Sequence, residues 1–402
     1  MKTATSRQLT SPSTSNQPPS RWVLPVIVFA QFACTSLWFA GNAVIRDIQR
    51  EWQLADSVLG PVTSAVQFGF IVGTLTVALL TIADRFSPSQ VFFACALAGA
   101  VSNLGIYLIG GNFTSLLLLR FLTGFFLAGI YPVGMKIAAD YHEKGLGLAL
   151  GYLVGALVLG TAFPHLLRSM TASLAWQSVI LLISGLAVLG GLLILWLVPD
   201  GPFRRKSSRL NARAAFAVFQ GRAFRSAAFG YFGHMWELYA FWAFVPFLLN
   251  TYTDRHPEVS LNVPLLSFLI IGVGGPACVL GGYLANRIGS ARTAFWALLI
   301  SGICCLLSFA LFTLPPWLFL PLLFIWGMAV VADSPQFSTL VAQSAPKESV
   351  GTALTIVTCV GFSITIISIQ WLNALAAVIH PSLLFLVLAG GPAAGLLAMR
   401  RR

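Results

Sequence analysis

Four ionisable side chains stand inside long apolar runs of the chain: Arg120, Lys136, Glu237 and Asp333. In lipid such a group is costly unless it faces a water-filled cavity, another charge or hydrogen-bonding partners. Glu237 lies in Gly233-His234-Met235-Trp236-Glu237-Leu238-Tyr239-Ala240-Phe241-Trp242, with aromatic rings at nearly every turn. A carboxyl so placed can accept a coupling proton, bind an amine or polyol, or hold helices together through hydrogen bonds. Arg120 opens Arg120-Phe121-Leu122-Thr123-Gly124-Phe125-Phe126-Leu127-Ala128-Gly129, where the two glycines permit close helix approach. A role in gating or proton-coupled movement fits it, and so does packing with its head drawn toward the outer end of the span.

Asp333 sits in Ala332-Asp333-Ser334-Pro335-Gln336, where the proline frees backbone carbonyls and breaks helix regularity. Lys136 follows Pro132 by one turn. If two halves of the protein pack face to face, Lys136 and Asp333 can form an inner-gate ion pair; alternatively each bonds within its own half. Hydrogen-bonding groups for an uncharged or zwitterionic ligand come from Trp38, Asn42, Gln67, Tyr131, Tyr152, His165, Trp236, Tyr239 and Gln370. Trp38 and Asn42 are one helical turn apart and share a face. Joint clustering on inward faces is what would make this set a binding site; taken singly, Tyr152 and His165 read as packing or interfacial residues.

These residues need a scaffold, and composition defines its class. Of 402 residues, 57% are hydrophobic and 9% charged, with a formal net charge of +12. A globular soluble chain carries about 25% charged residues, so lipid is the main solvent here and the fold is all-α and polytopic. The basic residues lie in short gaps between apolar runs and in the tails, which argues against nucleic acid as a partner. Cys34, Cys95, Cys278, Cys304, Cys305 and Cys359 all fall in apolar runs without metal-ligand spacing, so they read as small hydrophobes. His142, His165, His234, His256 and His380 are scattered, and no paired acid and base suggests an enzyme.

Cutting the runs at charged and Pro, Gly or Asn gaps gives twelve spans, at 22–44, 58–81, 90–110, 113–138, 146–168, 175–198, 226–250, 262–285, 292–312, 316–341, 350–373 and 380–399. Residues 1–20 read as a disordered cytoplasmic tail, 21–198 as a first six-helix bundle, 199–225 as a basic cytoplasmic linker and 226–402 as a second bundle. The first span reads as an uncleaved anchor. With the N-terminus inside, one face collects Arg85, Lys144, the cluster from Arg204 to Arg225, Arg287, Arg292, Lys347 and the C-terminal arginines. The other face collects only Arg46, Arg50, Arg168 and Arg255. That bias places both termini in the cytoplasm. The linker reads as a topology-setting loop lying against anionic lipid.

The two bundles are one unit written twice. Gly282-Tyr283-Leu284-Ala285-Asn286-Arg287-Ile288-Gly289-Ser290-Ala291-Arg292 is echoed by Ile82-Ala83-Asp84-Arg85-Phe86; Pro132 matches Pro335; and Gly147-Leu148-Ala149-Leu150 matches Gly351-Thr352-Ala353-Leu354. One register, shifted by a residue or two, accommodates all three.

Taken together these residues resemble the major facilitator superfamily of transporters, over essentially the whole stretch from Arg21 to Arg402. The family's loop motif, Gly-x-Leu-Ala-Asp-Arg-x-Gly-x-Arg, is followed by Gly282 to Arg292 except that Asn286 replaces the acid and Arg292 comes one residue late. In the first half Asp84-Arg85 survives, while Leu80 and Ser87 replace the glycines. Arg120 with Gly124 resembles a fourth-span motif linked to energy coupling. The antiporter signature of the fifth span is interrupted, because Thr161-Ala162-Phe163 separate Gly160 from Pro164. Phrases such as Ala128 to Lys136 resemble bacterial cyanate and nitrate/nitrite porters, yet Gln67 and Gly272 to Gly275 offer no arginine for nitrate. What the resemblance implies is two six-helix bundles, alternating access between them, and a small-molecule substrate held by the first and fourth spans of each bundle. It implies a monomer in a bacterial inner membrane with no cofactor and a proton as coupling ion. Uptake of a small organic solute or anion is the leading expectation, and efflux of an amphipathic or cationic compound by antiport, or facilitated diffusion, the alternative. Glu237, Arg120, Trp38, Asn42, Gln67, Tyr131, Trp236, Tyr239, Lys136 and Asp333 are the candidate substrate or proton residues. Asp84, Arg85, Asn286, Arg287 and Arg292 are the gating candidates, with Asp84 and Arg287 securing the inner ends of the second and eighth spans.

Overall fold

The structure is a computed structural model that describes residues 22–141, 146–204, 217–346 and 349–400. The expected N-terminal tail, Lys144, Lys347 and the middle of the basic linker lie outside the described residues. Twelve spans are numbered in chain order. In the first half they are α1 (Val23–Thr35), α2 (Leu59–Leu79), α3 (Pro88–Leu108), α4 (Phe113–Tyr141), α5 (Leu146–Met170) and α6 (Gln177–Leu197). The second half supplies α7 (Arg222–Arg255), α8 (Val263–Ile288), α9 (Ser290–Thr313), α10 (Pro316–Ser344), α11 (Val350–Leu375) and α12 (Pro381–Arg400). Ten of these are long and apolar enough to cross a bilayer, and the shorter α1 and the 34-residue α7 complete the repeat. One boundary differs from expectation. Arg222 and Arg225, read as linker, form the first turn of α7.

Local sequence explains where these helices begin and break. Asn112 caps α4 by accepting from the Ser115 amide at 2.9 Å, and Asn262 caps α8 through the Leu265 amide at 3.1 Å. Pro88, Pro316 and Pro381 occupy first helical turns, where a missing amide costs nothing. The first span is not one helix. Thr35 and Ser36 turn their hydroxyls back to the carbonyls of Gln31 and Ala33, at 2.7 and 2.6 Å, competing with the helical ladder. The chain leaves α1 at Ser36 and resumes as short helices at Ala40–Ala43 and Ile45–Glu51. Spans α4 and α10 are interrupted at corresponding places, before Tyr131 and at Asp333. In α10 the cause is Pro335, which has no amide to donate.

In the first bundle α2 lies on α4, α3 on α6, and α1 on α5 and α6; in the second, α7 lies on α11 and α12, and α8 and α9 on α10. Glycine permits the closest approach: a Cβ at Gly124 of α4 would overlap the Val66 carbonyl of α2. The bundles are inside-out relative to a soluble protein, since exposed Trp196, Trp317 and Ile367 cover the outside while Gln67, Arg120, Glu237 and Asp333 are buried.

Two seams join the bundles, α2 with α11 and α5 with α8. At the outer end Asn373 accepts from the Gly60 amide at 3.3 Å, Gln370 donates to the Ser64 hydroxyl at 2.9 Å, and Asn262 donates to the Ser169 hydroxyl at 3.0 Å. There too, burial lowers the pKa of Arg46, and the opposing charge of Asp254 on α7 acts against that shift. Toward the inner face the last turn of α2 contains no buried residue, whereas its outer two thirds are largely buried. The conformation is closed at the outer side. Replacing Gly60 and Asn373 together by cysteine should therefore give an intramolecular disulfide after a slight separation of the two spans, because a Cβ at Gly60 would stand 2.8 Å from the Asn373 Cβ, closer than the roughly 3.5–4.5 Å that a disulfide bridges. Mass spectrometry of non-reduced peptides checks this, and absence of the crosslink under oxidation would contradict the outer-closed packing.

Candidate functional site

The break after α1 turns Trp38 into the seam between the bundles. Its ring stacks on Tyr239 of α7 and on Phe362 of α11, each at 5.6 Å between centroids, and meets Phe70 of α2 at 4.8 Å. Phe362 closes the group at 4.5 Å from Phe70 and 5.2 Å from Tyr239. Trp242 packs edge-on against Tyr239 at 5.2 Å. All five rings are buried, and each such pair contributes about 0.5–1.5 kcal/mol beyond its area. The seam is thus a closed aromatic stack to which both bundles contribute.

Its polar atoms are mostly donors. Trp38 Nε1 donates to Gln67 Oε1 at 3.3 Å, which leaves the buried Gln67 Nε2 without a partner. Arg120, fully buried on α4, donates to the carbonyls of Leu37 at 3.0 Å and of Trp38. These carbonyls are orphans of the broken helix, and the negative end of α1 offsets part of the guanidinium charge. Arg120 Nε and Trp242 Nε1 are buried without partners as well. Among the described residues no carboxylate lies within ion-pair distance of Arg120. One cation and three unpartnered N–H groups surround Trp38 and Tyr239, an arrangement suited to an acceptor-rich, anionic, planar ligand.

The structure brings together Trp38, Gln67, Arg120 and Tyr239 from the sequence-derived set. Tyr131 of α4 joins them from the inner side, within electrostatic reach of Tyr231 and Tyr239. Asn42 stands one turn beyond, donating to Thr63 at 2.7 Å. Tyr152 bonds to Tyr283 where α5 meets α8. Trp236 points elsewhere, donating to the Val387 carbonyl at 3.2 Å and packing on Trp371.

Glu237 also leaves the seam. Its carboxylate lies inside the second bundle and accepts from Trp326 Nε1 at 2.6 Å, Ser301 Oγ at 2.9 Å and Cys305 Sγ at 3.2 Å. Asp333 is fully buried at the α10 break with its Oδ1 2.8 Å from Nδ1 of His234 on α7. Lys136 instead meets Asp84 at 2.9 Å within the first bundle. The Lys136–Asp333 pair considered from the sequence does not form in this state, since each residue bonds within its own half.

The two loop copies differ as their residues do. Without the leading glycine, Thr81 takes the left-handed conformation at φ 49°, and Arg85 donates to its hydroxyl at 3.1 Å. In the second copy the positive φ comes after the basic residue instead, at Gly289 with φ 89°, where the first copy has Ser87. Arg204, at the start of the linker, donates to the Phe86 carbonyl at 2.7 Å and pairs with Asp200. Asn286, Arg287 and Arg292 are exposed on the inner face, and among the described residues Arg287 has no ion-pair partner. An Asp84–Arg287 latch is therefore not made in this outer-closed state.

Sequence reading did not single out His234, Phe70, Phe362, Ser301, Cys305 or Trp326. For His234 the helical register relative to Glu237 carried some signal. Cys305, taken as a small hydrophobe, also donates a hydrogen bond.

Two pseudo-repeated helical bundles that meet at a buried aromatic seam are the architecture of a membrane carrier. A sequence model of the Major Facilitator Superfamily matches residues 27–369, and the chain belongs to that family of transporters. The 4-hydroxybenzoate transporter PcaK of Pseudomonas putida is 28% identical over 192 residues, 46% of this chain and 42% of that protein. The gallate transporter of the same species is 27% identical over 215 residues, 49% of this chain and 43% of that one. The chain thus matches less than half the length of these curated relatives. Among solved structures, a mutant of the nucleoside transporter NupG superposes with a TM-score of 0.71 at 15% identity, covering 94% of this chain and 98% of that one. A bacterial homologue of the human lysosomal transporter Spinster gives 0.66 at 18% identity, covering 95% and 94%. These two likenesses concern the fold.

Glu237→Ala should destabilise the second bundle by about 1–3 kcal/mol, the cost of stranding a buried donor such as the Trp326 indole N–H. Glu237→Gln, which keeps an acceptor oxygen, should lose less. Thermal unfolding in detergent distinguishes them, and equal loss in both would contradict the hydrogen-bonding role.

Proposed function

We propose that this carrier moves a small aromatic carboxylate across a bacterial cytoplasmic membrane by alternating access, as a monomer driven inward by protons. The observation that carries this is the buried Arg120 guanidinium, free of any carboxylate partner among the described residues, behind an aromatic slot whose unpartnered polar groups include N–H donors. When the bundles part, a benzoate-like ring stacks between Trp38 on one side and Tyr239 and Phe362 on the other, and its carboxylate answers the unpaired donors. The names of the partial relatives, transporters of 4-hydroxybenzoate and gallate, support the same chemical class.

In the outer-closed state Arg120 is held by the α1 carbonyls. Rocking of the bundles parts Trp38 from Tyr239 and Phe362, which belong to opposite halves, and exposes the slot. Ligand entry then gives Arg120 and Gln67 a competing acceptor. Efflux of a lipophilic cation finds less support, because it called for Glu237 in the aromatic cavity, and that carboxylate is occupied by three donors inside the second bundle.

Uptake of radiolabelled 4-hydroxybenzoate into proteoliposomes tests the proposal. Arg120→Lys should reduce uptake about tenfold or more, since an ammonium lacks the fork that bridges two carbonyls while facing a ligand. Trp38→Ala should raise the apparent KM by a similar factor, about 1.4 kcal/mol of binding. Wild-type uptake no faster than in empty liposomes, for both 4-hydroxybenzoate and gallate, would refute the substrate class.

A further inference from the structure

A second buried polar centre lies away from the aromatic slot. His234 and Asp333 are 1% and 0% exposed, and Nδ1 stands 2.8 Å from Oδ1. The other ring nitrogen, Nε2, is buried without a partner, and so is Asp333 Oδ2. Asp333 occupies the joint between the two halves of α10, whose continuation is interrupted by Pro335. His234 lies on the continuous α7, one turn before Glu237. The contact therefore ties an unbroken helix to the hinge of a broken one.

Among the described residues, the titratable groups near this pair come from α7, α8, α9 and α11. On α7 they are Glu237, whose carboxylate already accepts three hydrogen bonds, and Tyr231, whose ring lies 6.0 Å from the imidazole. Span α8 contributes Cys278 and α9 contributes Cys304 and Cys305, the latter two beside Glu237. Cys359 of α11 lies near Tyr231. Span α12 approaches α7 through Gly391 and Gly395, and Phe337 of α10 covers the imidazole at 5.9 Å. Among the described residues no lysine or arginine is within ion-pair distance of Asp333.

We propose that His234 and Asp333 form the site that carries the coupling proton, a refinement that rests on the proton-driven reading above. With Nδ1–H donated to the Asp333 carboxylate and Nε2 bare, the pair carries one negative charge. A proton arriving at Nε2 makes imidazolium and carboxylate, and the net charge becomes zero. In lipid surroundings the net-charged state is costlier than the paired imidazolium and carboxylate, whose opposite charges offset part of their desolvation. Loading thus favours the closed, water-excluding arrangement, and release needs water at the α10 hinge. Because Asp333 is at that hinge, the charge change acts directly on the inner half of α10, the segment Ser334–Ser344. Glu237 takes no part in the transfer; its three donors hold α7 to α9 and α10 throughout.

The test has two arms on the full-length protein. In proteoliposomes, wild type should accumulate 4-hydroxybenzoate under an imposed inward proton gradient and also exchange it at equal pH. His234→Gln and Asp333→Asn should keep exchange within about twofold and lose gradient-driven accumulation about tenfold. Accumulation at the wild-type level in both variants would overturn the proposal. The second arm needs no substrate: pH-difference infrared spectra between about pH 5.5 and about pH 8.5 should show an imidazole ring titrating, with its bands lost in His234→Gln and displaced in Asp333→Asn. Spectra of His234→Gln identical to wild type would overturn the site even if transport fails in both. A wild type that exchanges substrate but ignores the gradient, with the infrared signal present, would refute proton coupling and leave the titrating pair established.

Discussion

The bond between Arg120 and the broken end of the first span is the constraint on which the rest of the structure depends. A guanidinium cannot be left bare in the membrane, and the carbonyls of Leu37 and Trp38 cannot be left bare either. Each satisfies the other. The break itself follows from Thr35 and Ser36, which bond back to the preceding turn. Its consequence is that Trp38 projects into the seam rather than continuing along a helix face. Two of the five rings around the seam, Trp38 and Phe70, come from the first bundle and three, Tyr239, Trp242 and Phe362, from the second, so the closed state is read directly from that one side chain.

Charge is distributed unequally between the halves. The first bundle places a cation beside the seam, while the second sequesters its two buried carboxylates, Glu237 and Asp333, away from it. That asymmetry orders the functional readings. A carrier for cations would put a carboxylate among the rings, whereas this seam offers donors. It also separates two tasks: ligand recognition at Trp38 and Arg120, and the response of the α10 hinge at His234 and Asp333. The loop copies share the division. Asp84 is bound within the first bundle by Lys136, and the second copy contributes turn geometry through Gly289.

Much of the fold was legible because lipid imposes simple rules. Apolar length marked the spans and the repeated Pro132 and Pro335 marked the paired interruptions. The break in the first span was less legible, since hydroxyl back-bonding at Thr35 and Ser36 leaves no proline or glycine signature. At the site, Trp38, Gln67, Arg120 and Tyr239 were recognisable as polar or aromatic groups in costly places. Glu237 was recognisable as costly too, but its solution was invisible: Ser301, Cys305 and Trp326 come from α9 and α10, far along the chain. Lys136 and Asp333 sat at similar repeats, and only the packing reveals that each is answered within its own half. The partner of His234 was hidden in the same way, because Asp333 comes from α10, three spans further along the same bundle.

The central claim is that a buried cation and unpaired donors select a planar anion. Isothermal titration of the purified carrier with 4-hydroxybenzoate and with its neutral isostere 4-hydroxybenzamide tests it most directly. The two differ in charge and scarcely in shape. Tight binding of the acid with binding of the amide weaker by about tenfold or more is the predicted result. Equal affinity for both, or preference for the amide, would contradict it.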